Sequence, residues 1–219
     1  MPLADDYTDL AALRDFRRIR NESDTVDDDV MSLAISAASR SIDGHCDRPF
    51  GQEDTPSART FTWAGQYLDV PAAPGYRGYL AALEVTDIAT SAGLVVKTDA
   101  DGDGAYETTI SAAQYRLWPL NAAADGEPYT HIVLTAEGAA TYPWRLGGVE
   151  VTATWGWPAV PASVTEACLL QANRLCGRRD SWSGVAGSPE LGNELRLLSK
   201  LDPDLGPLLS RYRRMWVAA

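Results

Sequence analysis

The sequence is poor in the residues that most often build chemical sites. Its 219 residues include three cysteines, two histidines and two lysines, and no apolar run approaches the roughly 20 residues that a membrane helix needs. Three scattered cysteines are too few for a disulfide framework, which favours a reducing compartment. His45 and Cys46 are adjacent and His131 stands alone, so neither zinc ligation nor nucleophilic catalysis finds a suitable cluster. A phosphate-binding glycine loop is also absent, and we predict no catalytic residue and no enzyme.

The charge balance is acidic. The sequence contains 30 Asp and Glu residues and 19 Lys and Arg residues, which gives a formal net charge of −11. This balance argues against sequence-independent binding of DNA or RNA, because such binding needs a basic surface. The opening residues, MPLADDYTDL, have no charged-then-apolar leader, so we expect neither a signal peptide nor a membrane partner.

Hydrophobic periodicity divides the chain into three stretches. Residues 1–52 follow a helical pattern, residues 53–157 alternate as strands do, and residues 158–219 return to a helical pattern. We predict strands within 58–63, 66–70, 83–88, 94–98, 106–110, 114–118, 131–135 and 149–155. The pattern predicts an α+β protein in which the N- and C-terminal helices form a small bundle. An antiparallel β sandwich or barrel-like module is inserted between them.

The second predicted helix has an unusual composition. Acidic residues precede it, Gly44 is a candidate end, and one wide arc of its surface is apolar. The opposite arc is made mostly of small polar side chains, which would let another helix approach closely. These candidates for subunit packing are Ser32, Ser36, Ser39 and Arg40. An ordinary surface helix with a serine-rich face explains the same pattern equally well.

The C-terminal segment predicts an amphipathic helix. Its apolar stripe follows helical spacing, and arginines lie beside it near the helix end, where positive charge suits the helix dipole. The candidate residues for docking on a partner are Leu205, Leu208, Leu209, Tyr212, Arg213, Arg214 and Trp216. Packing of the stripe on the chain's own bundle is the alternative. Pro207 indicates either a helix start or a kink.

The segment DADGDG lies between two predicted strands and resembles half of a calcium-binding loop. Asp99, Asp101, Asp103 and Glu107 could offer hard oxygens to Ca²⁺. The position where a bidentate Glu would complete the loop is Ile110, and the flanks are strands and not helices. The segment is therefore either a solvated hairpin tip or a weak calcium site, and no cofactor is required.

Three segments together carry a family likeness. They are DDDVMSLAISAASRSIDGHCDRPFG, TATWGWPAVPASVTEACLLQANRLCGRRDS and LDPDLGPLLSRYRRM. In this order they resemble the head-to-tail adaptor (head-completion) proteins of long-tailed bacteriophages. The DADGDG hairpin is similar to turns in members that carry a β insert, and the preference for arginine over lysine suits a phage of a GC-rich actinobacterium.

The resemblance implies an assembly role and no reaction. It implies a ring of about twelve copies beneath the portal protein. The other face of this ring would receive a stopper or tail-completion protein. The genome would pass through the central channel without specific binding. The protein would reside in the virion after assembly in the host cytoplasm.

Two other function classes compete with this interpretation. A calcium-stabilised β sandwich could bind carbohydrate or another ligand through exposed tryptophans, for which Trp63, Trp144 and Trp157 are candidates. An enzyme with a pair of carboxylates is the third class, although no acidic pair is distinguished by its spacing.

Overall fold

A computed structural model describes residues 5–19, 25–73, 76–135, 142–179, 185–186, 195–196 and 201–214. The chain divides into two compact units. The β unit comprises residues 51–159. The helical unit combines Ala4–Phe50 with Val160–Ala219. The two ends of the chain therefore contribute to one folded body.

Over its described residues, the helical unit contains three helices of at least seven residues. They are α1 (Leu10–Phe16), α2 (Asp28–Cys46) and α4 (Ala162–Arg179). A short helix α5 (Leu205–Leu209) continues into a 3₁₀ turn, Ser210–Tyr212, and two-residue strands β8 (Val185–Ala186) and β9 (Leu195–Arg196) pair with each other. Helices α2 and α4 pack together, with the Cys168 sulfur on α4 3.8 Å from the Ile35 carbonyl oxygen and 3.4 Å from the Ser39 hydroxyl on α2.

One helix end differs from the sequence interpretation, and one helix start agrees with it. Helix α2 continues through Gly44 and ends at Cys46, with Asp47 adopting a left-handed conformation at φ 54°. Gly44 is tolerated inside the helix because a single glycine costs only about 1 kcal/mol relative to alanine. Of the two alternatives for Pro207, the structure has the helix start: this proline lies in the first turn of α5, where its missing N–H needs no partner.

The β unit is built around one antiparallel sheet of seven strands. They are β1 (Ser57–Phe61), β2 (Tyr67–Ala73), β3 (Tyr76–Thr98), β4 (Thr108–Ile110), β5 (Tyr115–Trp118), β6 (Tyr129–Leu134) and β7 (Val149–Trp155). Six strands join through the order β1-β7-β3-β6-β5 with β4 on β3, while β2 pairs only with the first part of β3. A four-residue helix, α3 (Ala122–Asp125), precedes β6. The prediction of a mixed α+β fold with antiparallel strands is confirmed.

The long strand β3 organises this sheet. Its first residues, 76–81, pair with β2, residues 82–88 pair with β6 and residues 88–98 pair with β7. The register shifts between Glu84 and Val95. Gly93, at φ 73°, lies within this irregular stretch and supplies a conformation that other residues rarely adopt. The strand can therefore change direction without a loop. Its inward side chains include Leu83, Val85, Ile88 and Val96, which join Trp155 in the core.

No helix among the residues described is both long and apolar enough to span a bilayer. The three cysteines are buried and none of them forms a disulfide.

Candidate functional site

The four residues predicted for subunit packing do not share one open face. Ser39 is fully buried, where its hydroxyl donates to the Ile35 carbonyl (3.0 Å), accepts from the Tyr7 N–H (3.1 Å) and lies 3.4 Å from the Cys168 sulfur. Ser36 is half-buried and donates to the Asp6 carboxylate (2.8 Å). Ser32 and Arg40 remain exposed. The serine arc thus packs partly inside the chain's own helical unit.

A different side of α2 is exposed. Leu33 is 71% exposed, and Val26, just before the helix, is 86% exposed. Asp29, one turn before Leu33, and Ala37, one turn after it, are also exposed. The apolar arc that the sequence predicted is therefore wider than the surface that α4 covers.

The C-terminal stripe is used mainly inside the helical unit. Leu205 and Leu209 are fully inaccessible, and Tyr212 is 7% exposed, with its hydroxyl 2.9 Å from the Ser163 hydroxyl. Leu208 and Arg214 are half-buried, while Arg213 is exposed. Trp216 lies outside the described residues. Among the docking candidates, those still open to solvent are therefore Leu208, Arg213 and Arg214.

Tyr7 ties the N-terminal segment to both other parts of the helical unit. Its hydroxyl donates to the Asp43 carboxylate and accepts the Phe50 N–H (2.8 Å). The Phe50 ring meets both the Tyr7 and Tyr212 rings edge-on, with centroids 5.8 and 5.7 Å away. Burial, helped by the bond to Asp43, raises the pKa of Tyr7 well above its ordinary value, so it remains a neutral hydrogen-bond donor.

A second clamp holds the start of the C-terminal segment. The Arg174 guanidinium contacts the Asp202 carboxylate (2.6 Å), which also accepts the Asp204 N–H (3.0 Å), while Gln171 accepts the Asp202 N–H (3.1 Å). The Asp204 N–H bond and the Arg174 charge lower the pKa of Asp202, although partial burial opposes them. Neither this clamp nor the Tyr7 network has a signal in the sequence, because their partners lie far apart along the chain.

The acidic hairpin tip brings three of its four predicted ligands together. Carboxylate oxygens of Asp99, Asp101 and Glu107 lie within 4.8 Å of one another, whereas Asp103 is outside this group and accepts the Ala105 N–H (2.8 Å). Exposed Asp101 and Glu107 accompany buried Asp99. Such a set of hard oxygens suits Ca²⁺ in ligand type.

The hairpin nevertheless closes through its own backbone. Asp99 accepts the Gly102 N–H at one oxygen (2.6 Å) and the Gly104 N–H at the other (3.0 Å). These bonds, led by that from Gly102, lower the pKa of Asp99 against the opposing effect of burial. The Arg145 side chain donates to the Asp101 carbonyl and occupies the space beside Gly102. Positive charge therefore already lies against the tip.

The three tryptophans proposed for ligand binding are placed very differently. Trp63 and Trp157 are 6% and 3% exposed, whereas Trp144 is 72% exposed. Trp157 donates its indole N–H to buried Asp87 (3.2 Å), which is a structural role. A stacking platform for carbohydrate usually needs an open ring face, and only Trp144 of the three offers one. The β-unit geometry therefore gives little support to a multi-tryptophan ligand site.

Cys46 and His131 also lie in structural positions. Cys46 is fully buried, and burial raises its pKa to about 11, so its thiol stays protonated at neutral pH. His131 lies on β6 with its Nδ1 2.9 Å from the Thr130 hydroxyl. Neither environment activates a nucleophile.

Charge is distributed unevenly between the two units. The β unit contains 13 acidic and 5 basic residues, a net charge of −8, while the rest of the chain contains 17 acidic and 14 basic residues, a net charge of −3. Within the β unit, Arg59 and Lys97 pair with Glu53 and Glu150. Its basic side chains therefore partly neutralise local acids.

Comparison with known proteins finds the fold among solved structures. No family model and no curated protein matches the sequence. A solved chain from the neck of an empty GTA particle, a structure computed with C6 symmetry, is similar with a TM-score of 0.51 and 23% identity. The match covers 97% of this chain and 92% of that chain. The two chains thus share a fold over nearly their whole lengths, and both units take part in the match.

Proposed function

We propose that this chain is a structural protein of the head-to-tail neck of a tailed-phage-like particle. The observation that carries the proposal is the fold shared with a neck chain over 97% of the sequence, in both units. The lack of an activated nucleophile in the environments of Cys46 and His131 is consistent with an assembly role. In this proposal the protein resides in the virion and assembles in the host cytoplasm.

More specifically, we propose that the protein is the adaptor, which forms a ring of about twelve copies beneath the portal. A stopper or tail-completion protein would bind the opposite side of this ring. The C6 symmetry of the GTA neck structure that contains the similar chain is compatible with six or twelve copies of a subunit. The sequence segments that resemble adaptors support the subtype independently of that match.

The charge distribution supports passage of the genome without capture. A β unit of net charge −8 repels phosphates. We therefore expect the assembled protein to bind duplex DNA weakly at physiological salt. Tight binding that falls steeply with salt concentration would contradict this part of the proposal.

We propose that contact with the portal involves the chain end from Arg213 onward. The apolar stripe before it is unavailable, since Leu205, Leu209 and Tyr212 are buried. Deleting residues 202–219 would remove these core side chains and confuse loss of folding with loss of docking. A single exposed charge is the better probe.

The test mixes the chain with purified portal rings and measures co-migration by density-gradient sedimentation. The wild type should migrate with the rings, and Arg213→Glu should weaken the association. Arg116→Glu, an equal charge change at an exposed residue of the β unit, is the matched control and should retain it. A wild-type chain that never migrates with portal rings would contradict the proposed function, and equal binding by both variants would contradict only the docking residue.

A further inference from the structure

The β unit presents a loop whose large apolar side chains lie outside the sheet core. Trp144 is 72% exposed and Leu146 is 94% exposed, and Arg145 between them is also exposed. We call residues 144–146 the tryptophan loop. Large exposed apolar side chains that adjoin one another are characteristic of surfaces that bind another molecule.

Trp144 is held in place although most of its surface is open. Its ring meets the buried Trp63 ring edge-on, with centroids 4.8 Å apart. It also lies directly on Gly65, where a Cβ atom would come within 2.5 Å of a ring carbon. A side chain that is already fixed loses little conformational entropy when a partner covers it, and tryptophan is enriched among the residues that dominate binding energy. Trp144 is therefore suited to anchor a partner.

The acidic hairpin tip lies against the tryptophan loop. Tyr106 donates its hydroxyl to the Gly147 carbonyl (2.8 Å), and the Asp99 N–H donates to the Gly148 carbonyl (3.0 Å). The Arg145 side chain donates to the Asp101 carbonyl. The exposed apolar side chains of the loop and the exposed carboxylates of the tip therefore share one surface of the β unit.

The charge of this surface is negative when its basic residues are included. Residues 97–107 and 144–150 contain five acidic and two basic residues, a net charge of −3. Lys97 pairs with Glu150 (3.5 Å), so Arg145 is the positive charge that lies against the tip. The remaining acids of the tip outnumber it, and the surface therefore attracts cations.

We propose that the tryptophan loop and the acidic tip together bind a protein segment that presents an arginine or a lysine beside an apolar side chain. An exposed indole face attracts a cationic group, and the carboxylates beside it pair with the same group. Leu146 supplies apolar area for the neighbouring side chain. A second copy of this acidic chain, with a net charge of −11, is the less favoured occupant.

The inference rests on the proposed neck function, because the partner is then another protein of the same particle. The portal is assigned to the helical unit in that proposal, so the partner on the β unit is a protein other than the portal. This inference specifies the chemistry by which the β unit recognises it.

The test measures binding of the full chain to each purified capsid and neck protein of the particle by biolayer interferometry. A protein other than the portal should bind the wild type, and more weakly as the salt concentration rises. Leu146→Ser should weaken this binding about tenfold. Leu120→Ser, the same change at a 64% exposed leucine of the β unit, is the matched control and should bind like the wild type. Both leucines are largely exposed, so both variants should keep the wild-type melting temperature.

Glu107→Lys tests the electrostatic part of the same contact. Asp99 and Asp103 accept backbone N–H groups within the tip, and this variant leaves both of them in place. It should weaken binding about tenfold. Asp125→Lys, the same charge reversal at an exposed residue of α3, should bind like the wild type.

Three results would overturn the inference. The wild type could bind no protein besides the portal, or bind one that Leu146→Ser leaves unaffected. Weaker binding by Leu146→Ser without any change for Glu107→Lys would refute the cationic chemistry of the partner. A change in sedimentation of the Leu146→Ser chain alone, absent in Leu120→Ser, would instead make a second copy the occupant. Co-migration with portal rings, which Leu146→Ser should retain, judges the proposed function separately, so the two failures are distinguishable.

Discussion

Replacing Gly156 by alanine should destabilise the β unit strongly. Gly156 has φ 111°, a conformation that residues with side chains rarely adopt. A Cβ atom there would overlap the Gly51 carbonyl oxygen and lie only 2.8 Å from the Gln52 Cα. These neighbours are backbone atoms, so no side-chain rotation can relieve the clash.

The magnitude follows from two contributions. Backbone strain at such a φ costs about 1–3 kcal/mol. Forcing the two segments apart costs about 1–3 kcal/mol more, by analogy with overpacking. Separation would also stretch the Trp157 N–H bond to the Gly51 carbonyl (2.9 Å) and the Gly156 N–H bond to the Asp87 carbonyl (2.7 Å). We expect the free energy of unfolding to fall by about 2–6 kcal/mol, a large part of a typical domain's total.

Gly44→Ala is the matched control because it makes the same chemical change without a clash. Gly44 is helical and exposed, and apart from its chain neighbours and the backbone of its own helix no described atom lies within 4 Å of the position a Cβ would take. This variant should raise the free energy of unfolding of the helical unit by about 0.5–1 kcal/mol.

Urea unfolding would measure both variants. Far-UV circular dichroism follows the helices, and tryptophan fluorescence mainly follows the β unit, which holds five of the seven tryptophans. A loss for Gly156→Ala below about 0.5 kcal/mol, the usual range for surface substitutions, would refute the steric reasoning.

Two further predictions concern charged groups. Asp202→Asn should be less stable than the wild type at neutral pH, because the lowered pKa of Asp202 means that folding favours its charged form. That stabilisation is lost as pH falls below the ordinary carboxyl pKa. The difference in melting temperature between the wild type and Asp202→Asn should therefore narrow below about pH 4. A difference that stays constant would contradict the lowered pKa of Asp202. At the hairpin tip, Asp99 already accepts the Gly102 and Gly104 N–H groups, so melting midpoints in calcium and in chelator should coincide. A higher midpoint in calcium would instead show that Asp99, Asp101 and Glu107 bind the ion.

Local patterns predicted most of the strands because each alternating run carries its own signal. The runs at 83–88 and 94–98 were predicted as separate strands, and the structure joins them in the single strand β3. Their separation was inferred from the break in alternation between them. In the structure that break is a set of register shifts with Gly93 at positive φ. A bulge within one strand interrupts the alternation in the same way as a loop between two strands, so the sequence pattern does not distinguish them.

The Tyr7 network could not be predicted from the sequence, because its signal is tertiary. Tyr7 meets Phe50 across 43 positions, and Phe50 meets Tyr212 across more than 160. No periodicity relates such residues, and an aromatic residue near a helix start is compatible with many environments. The resemblance to adaptors located these segments in order but did not indicate that they touch.

The surfaces of α2 show why composition alone does not assign a neighbour to each side of a helix. The helix has small or apolar residues around most of its circumference, so the sequence predicts more than one packed side without saying which neighbour covers each. Ser39 is buried in contact with Cys168 on α4. Leu33 lies on a different side of the helix and is exposed. One face of α2 packs in the chain's own core. The exposed apolar face is either hydrated, which is unfavourable for apolar surface, or covered by another molecule.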